Sequence, residues 1–399
     1  MNLLIVIDDY LPNSTRVSAK MMHELALWLQ DNGHKVVILT PCSEGQERSL
    51  NKTTHDGVEV WRFKSGPIKD ISRVKRLINE SLLSFKGWRA IKSEIKQQSF
   101  DGVVYYSPSI FFGSLVSKAK KVADCKSYLI LRDLFPQWAI DEGIVGKYSP
   151  ITLYLKFFEK LNYKAADTIG LMSEKNIKVF NSLHPSYTNT QVLPNWVSNT
   201  KQLDNQPYWR DRLNLHNKVI FLYGGNIGKA QDMPNLMRLA KSMLEHEQGH
   251  FLFVGQGESY TEVEEFIKEN CLSNVTLLPS ISQDAFKHLL LEVDIGLFSL
   301  AKNHTAHNFP GKILGYIANS LPILGSVNVG NELKSIITES NSGFVFENGE
   351  DDALLKAAVQ LLQSKELRDS CGRNAKTLLD SHFSLKATAN KVISTLKEP

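Results

Sequence analysis

The chain is 399 residues long, 42% apolar and 22% charged, with a formal charge of +4. Those proportions describe a folded globular protein with enough chain for two hydrophobic cores, and they exclude disordered and collagen-like chains. Four scattered cysteines (Cys42, Cys125, Cys271, Cys371) lack metal-ligand spacing, which excludes a disulfide scaffold or zinc module and fits a reducing compartment. No apolar run approaches the roughly 18 residues of a membrane-spanning helix. The apolar run at Met1–Asp8 is too short for a signal peptide, so a place in the cytoplasm, or on the cytoplasmic face of the cell membrane, is expected.

Leu3–Ile7 reads as a buried strand, Asp8–Thr15 as a polar loop, and Arg16–Gln30 as a helix with Val17, Met21, Leu25 and Leu29 on one face. Gly33 ends it and Val36–Leu39 is the next strand. This βαβ opening puts Asp9, Asn13, Ser14 and Arg16 at the carboxyl edge of a parallel sheet, where open α/β sheets bind ligands. The dinucleotide fingerprint G-x-G-x-x-G is missing here, which disfavours a nicotinamide dehydrogenase. Further strand-length runs fall at Val58–Phe63, Gly102–Tyr106, Tyr128–Leu131, Thr168–Met172 and Gln191–Leu193. Helical patterns fill the intervals, most clearly Ile71–Gln97 and Ile151–Ala165. Strands alternating with helices predict a doubly wound parallel domain. Arg132 and Asp133 follow a strand directly, either as site residues at its carboxyl end or as a helix-entry ion pair.

Charge is uneven. Trp61–Gln98 holds ten Lys and Arg against three Asp and Glu, a local +7, so the rest of the chain nets −3. Trp61, Phe63, Phe85 and Trp88 are interleaved with these cations, and Ile71, Val74, Ile78, Leu82, Phe85 and Ile91 can form an apolar stripe. Such a tract suits an anionic membrane surface. The plain alternative is a helix docked on its own domain with a solvated basic face. Nucleic acid fits poorly, because no recognition motif accompanies the charge.

Residues 193–207 are polar, irregular and bracketed by prolines, the composition of a domain boundary. Beyond them, Val219–Tyr223 reads as a strand running into Gly224-Gly-Asn-Ile-Gly228, followed by a helix over Pro234–Glu247. Phe251–Val254 with Gly255-Gln-Gly257, Val275–Leu278 and Val293–Phe298 continue the same rhythm. Residues 303–326 then form a loop, a helix start at Pro310-Gly-Lys312 and a strand at Leu321–Ser326. Lys312 lies in a first helical turn, either beside free backbone N–H groups that suit a phosphate or as the solvated lysine of an ordinary βα turn. Helices at Asp351–Gln363, Lys365–Leu379 and Leu385–Leu396 close the chain, the last able to return to the first domain.

The order and spacing of Gly33–Thr40, Leu193–Trp196, Tyr223–Gly228, Phe253–Gly257, Asn274–Leu278, Asp294–Leu297 and the 303–326 stretch resemble the GT-B glycosyltransferases. Within them, the likeness is to the family-4 group of retaining, nucleotide-sugar-dependent enzymes. Phe309–Tyr316 and Leu131–Trp138 look closest to N-acetylfucosamine transferases of bacterial O-antigen and capsule synthesis. The resemblance implies two Rossmann-like domains facing a cleft. These are an acceptor domain over 1–195, a linker over 196–208, a donor domain over 209–382, and a helix over 383–399 returning to the first domain. It places the nucleotide-sugar donor on Gly225, Asn226, Gly228, Lys229, His307, Asn308, Phe309, Gly311 and Lys312. A polyprenyl-diphosphate-linked saccharide acceptor falls to Asp9, Asn13, Ser14, Arg16, Arg132 and Asp133. Asp133 and Lys312 are the catalytic candidates, and the anionic membrane surface is a further partner through residues 61–98. With no Asp-x-Asp in the chain, no metal and no other cofactor is expected.

Two departures stand out. The family often carries two glutamates eight residues apart, and those positions here are His307 and Gly315. Its Arg and Lys after the glycine-rich turn fall at Asn226 and Gln231. The missing groups keep two other readings open: an isomerase of the nucleotide-sugar 2-epimerase kind, which shares the fold, and a non-catalytic nucleotide-sugar-binding subunit.

Overall fold

The computed structural model describes the chain except residues 15, 44–46, 69–70, 142, 199–207, 303–308 and 399. It divides into two units, Met1–Trp196 with Leu385–Pro399, and Val197–Ser384.

The first unit is built on β1 (Asn2–Val6), β2 (Lys35–Cys42), β3 (Leu50–His55), β4 (Val58–Lys64), β5 (Gly102–Ser107), β6 (Lys126–Leu131), β7 (Thr168–Leu171) and β8 (Thr190–Val192). Among the described residues they form one sheet in the order β3-β4-β2-β1-β5-β6-β7-β8. Leu3, Leu4, Ile5 and Val6 of β1 are wholly buried, as a central parallel strand covered on both faces requires. The edge strand β3, antiparallel to β4, is the exception to the parallel pattern. Its sequence, Leu50–His55, is mostly exposed and polar, so no apolar run marked it. Asp56 and Gly57, both with positive φ, make the two-residue turn that joins it to β4.

The helix expected over Ile71–Gln97 is two helices, Arg73–Ser81 and Leu83–Gln97, broken at Leu82. The second buries Leu83, Ala90, Ile91 and Ile95, while the first buries nothing. Trp61 and Phe63, read from sequence as part of an aromatic, basic surface, lie wholly in the core beneath them. Trp196, expected to open the linker, is also a core residue of this unit. It is fully buried and donates its indole N–H to the Met21 carbonyl at 2.9 Å. The helix Leu385–Lys397 lays Ala389, Val392 and Leu396 on the same unit, and Lys391 Nζ bonds the Val192 carbonyl at 2.6 Å.

The second unit carries β9 (Val219–Asn226), β10 (Gly249–Gln256), β11 (Val275–Leu278), β12 (Ile295–Ser299), β13 (Ile323–Val327) and β14 (Gly343–Glu347). Their order is β11-β10-β9-β12-β13-β14 and every pairing is parallel. The helix Gly311–Ala318 crosses from β12 to β13 and buries Ile313, Leu314, Tyr316 and Ile317. The Tyr316 hydroxyl accepts from the Gly224 N–H at 3.2 Å and lies 3.0 Å from the Leu222 carbonyl, which fastens this helix to β9. The order of β9 and β12 therefore sets two loop ends side by side at one sheet edge.

Glu159, on the helix Pro150–Ala165, is 4% exposed and accepts from the Tyr163 hydroxyl at 3.3 Å. Burial pushes its carboxyl up to about 7. The folded chain then holds a proton that the unfolded chain has released, so the stabilisation is complete below the ordinary carboxyl range and is lost as pH rises through about 7. Glu159→Gln should melt above wild type at a pH of about 8 and converge with it near pH ~5. Calorimetric scans across that range check this; identical pH profiles would remove Glu159 from the account.

Candidate functional site

β9 ends at Gly224-Gly225-Asn226, and Gly225 takes a φ of 122°, a region closed to most side chains. A Cβ at Gly225 would stand 3.6 Å from Lys312 Cε, so the glycine-rich strand end and the first turn of Gly311–Ala318 meet. Lys312 has a part-exposed stem, but its Nζ is buried and has no hydrogen-bond partner among the described residues. The ammonium lies 3.3 Å from the centroid of the Tyr223 ring, a cation–π contact. Burial holds it well below the usual lysine range. A buried cation position with no carboxylate partner among the described residues is a candidate site for an anion from outside.

Around this point the structure gathers several predicted donor residues. The Asn226 amide donates to Gln231 Oε1 at 2.8 Å, so the two positions where the family's cations would fall are bonded as a neutral pair. Gly228 sits against that amide, where a Cβ would come within 2.7 Å of Asn226 Nδ2. Lys229 is exposed, and its backbone N–H donates to Glu258 Oε1 at 3.2 Å. Glu258 was not singled out from sequence. Its signal was its place directly after Gly257, in the next strand-to-helix turn. Gly311 opens the lysine's helix. Phe309 turns its ring onto Phe383, with centroids 4.7 Å apart, which is packing within the unit. His307 and Asn308 lie outside the described residues. At Gly315 a Cβ would make an ordinary contact with Leu290 Cδ1 at 3.6 Å, with no closer atom among the described residues.

In the first unit the loop after β1 is a network. Ser14 Oγ donates to Asp9 Oδ2 at 2.6 Å and accepts from the Arg16 N–H at 3.1 Å. The Arg16 guanidinium pairs with Asp8 at 3.2 Å and Asp9 at 3.6 Å. Asn13 is exposed on the same loop. The buried phenol of Tyr106, at the end of β5, is pushed up by burial and feels the charges of Arg132, Asp133, Asp8 and Arg16, so both predicted acceptor loops converge on it. Glu80 joins them from the helix Arg73–Ser81. Burial raises its carboxyl, Arg76 at 2.9 Å lowers it, and Asp8 and Arg16 act on it. Asp8, Glu80 and Tyr106 had not been picked out from sequence; Asp8 and Tyr106 lie at strand ends that were read, and only the fold brings Glu80 to this edge.

Arg132 takes a different place from the one expected. It is buried, with NH2 donating to the Pro194 carbonyl at 3.2 Å and its guanidinium 5.6 Å from the Trp196 ring. Burial lowers it to about 10. It fastens strand ends and positions the loop of Asp133, which is half-buried.

Two α/β units on parallel sheets, the second pairing a glycine-rich strand end with a shielded lysine, define the GT-B class of glycosyltransferase fold. WaaG, a glycosyltransferase involved in lipopolysaccharide biosynthesis, shares this fold with a TM-score of 0.68 at 16% identity, over 100% of both chains. HepE of Anabaena, solved with UDP and glucose, gives 0.69 at 13% identity over 99% of both. Residues 205–378 match the family described as Glycosyl transferases group 1, so the chain carries a group 1 glycosyltransferase domain. The chain is 23% identical over 333 residues to WcaI of Escherichia coli K12, named for glycosyl transfer in colanic acid biosynthesis; the match covers 80% of this chain and 81% of WcaI.

If Lys312 is held for a missing anion, it should burden the free fold and serve the bound one. Lys312→Met should raise the melting temperature, since a buried unsatisfied group costs about 1–3 kcal/mol. The same change should weaken UDP binding about tenfold to a hundredfold, the worth of a charged hydrogen bond. Paired calorimetric melts and UDP titrations check both; a variant that loses stability and keeps its UDP affinity would make Lys312 a framework residue.

Proposed function

We propose that this chain is a retaining glycosyltransferase of bacterial O-antigen or capsular polysaccharide synthesis. It moves a sugar, an N-acetylated deoxyhexose such as N-acetyl-L-fucosamine, from a UDP donor to a lipid-linked saccharide on the cytoplasmic membrane face. The unpartnered Lys312 ammonium beside Gly225 is the observation that carries this reading. The names of WcaI and WaaG, and the UDP and glucose held by HepE, support the pathway class and the donor.

In this mechanism the bond from the anomeric carbon to the β-phosphate oxygen breaks, and one to the acceptor oxygen forms on the same face. The departing phosphate oxygen takes the acceptor proton. Charge grows on the diphosphate as the bond breaks, and Lys312 with the N–H groups of its first helical turn stabilises it. Entry of the diphosphate gives Lys312 an anionic partner, which favours its charged form. This chemistry needs no metal ion. Asp133 orients the acceptor hydroxyl, and Asp9, Ser14 and Arg16 hold neighbouring sugar hydroxyls. The space at Gly315, and backbone groups with Asn303, His304 or Asn308, take over what glutamates do in related enzymes.

Mass spectrometry of lipid-linked glycans from cells lacking the protein tests this. The expected product is an acceptor missing one N-acetyl-deoxyhexose, restored by the wild-type chain with its UDP-sugar and not by Lys312→Met. Conversion of the donor with no acceptor present would mean an isomerase, and donor binding without turnover a binding subunit.

Membrane docking is part of the proposal, with its surface redrawn. Val74, Ile78, Leu82 and Phe85 are 39–69% exposed along the two helices after β4. Leu153, Tyr154 and Phe157 of Pro150–Ala165 are 41–62% exposed, and the Tyr154 hydroxyl donates to Ser81 Oγ at 2.8 Å, which joins the two apolar strips. Arg73, Lys75, Lys156 and Lys160 are exposed on the same helices. Each cation near an anionic surface contributes about 1 kcal/mol, and the apolar strip can insert. Ile78→Glu with Phe157→Glu should abolish sedimentation with phosphatidylglycerol vesicles and leave the melting temperature unchanged. Vesicle binding equal to wild type would dismiss this face.

A further inference from the structure

We propose that His23, His55 and Asp56 form a binding site for a divalent, imidazole-preferring ion of the zinc type, which pins the β3–β4 hairpin tip to the helix Val17–Asp31. Their ligand atoms all lie within 4.8 Å of one another. His23 Nε2 is 3.3 Å, and His55 Nε2 3.7 Å, from the same Asp56 Oδ2. A tetrahedral ion with bonds of about 2.0–2.1 Å spaces its ligands by about 3.3–3.4 Å, so two edges of the coordination figure are nearly formed. Hydrogen bonding explains less: it accounts for the His23 contact, but 3.7 Å is too long for His55.

The surroundings supply the other requirements of such a site. His23 Nδ1 lies 2.7 Å from the buried Tyr10 hydroxyl, which fixes the ring and leaves Nε2 facing the hairpin. An outer partner on the second ring nitrogen is the usual companion of a metal-ligating histidine. Asp56 is held in the left-handed region, at φ 48°, by the tight turn, so its carboxylate does not need to be recruited from a mobile chain. The His23 side chain is 7% exposed, His55 24% and Asp56 66%, which leaves an entry path and room for a water as fourth ligand. Two imidazoles and a carboxylate select zinc-like ions over magnesium or calcium. Bound there, the ion stiffens the turn and, through Tyr10, the loop that carries Asp9, Asn13 and Ser14. It is independent of the transfer reaction proposed above, which uses none of these three ligands.

The test uses the full chain, stripped with a chelator, and zinc chloride alone. Titration calorimetry should give one saturable site and a higher melting temperature with zinc. His55→Ala and Asp56→Asn, both partly exposed and expected to fold, should each lose at least about tenfold in affinity and lose the thermal shift. His216→Ala, which removes an exposed histidine paired with Asp211 in the other unit, should bind zinc as wild type does. The proposal fails if wild type takes up no zinc at micromolar concentration, or if the His55 and Asp56 variants bind it unchanged.

Discussion

The Lys312 ammonium, buried over the Tyr223 ring with no hydrogen-bond partner among the described residues, is the interaction on which the proposed donor site turns. It is costly for the free chain, and several features exist to hold it there. Tyr316 fastens the lysine's helix to the strand that carries Tyr223. Gly225, at a φ of 122°, shapes the strand end against which the stem lies. Parallel order puts β9 and β12 side by side, so the loop after each opens at one edge. Local sequence, sheet order and electrostatics meet at a single nitrogen.

The first unit solves a different problem. Its loops carry carboxylates, and these need shaping more than neutralising. Arg16 crosses between Asp8 and Asp9, and Ser14 caps the loop from inside. Arg132 is drawn under the strand ends, where its NH2 donates to the Pro194 carbonyl and its Nε is left without a partner among the described residues, at the cost of leaving water. The result is a polar rim with fixed carboxylates, of the kind that reads sugar hydroxyls.

How much of this was legible in the chain depended on burial. Central strands such as β1 and β9 are continuous apolar runs because both faces are covered, and periodicity finds them. β3 escaped because an exposed edge strand needs no apolar pattern. The break at Leu82 left no glycine or proline to mark it. Trp61 and Phe63 looked like surface aromatics because neighbouring cations coloured the tract, yet strand alternation sends them inward. In the candidate sites, strand-end residues were picked out by position alone. Glu80 was not, since it comes from a helix distant in sequence, and Glu258 was passed over although it follows the end of β10.

The two departures from the family pattern make sense together. At one pair of positions two carboxylates are gone, at His307 and Gly315; at another, two cations are gone, at Asn226 and Gln231. Asn226 and Gln231 are hydrogen-bonded to each other, so the second pair has become a neutral unit rather than two unrelated losses. Two anions and two cations missing from the family pattern together leave its net charge as it was. The field that a diphosphate meets can then be supplied by Lys312 and the N–H groups of its helix, provided that the cation is screened from water. That screening is what the Tyr223 ring and the packed first turn provide.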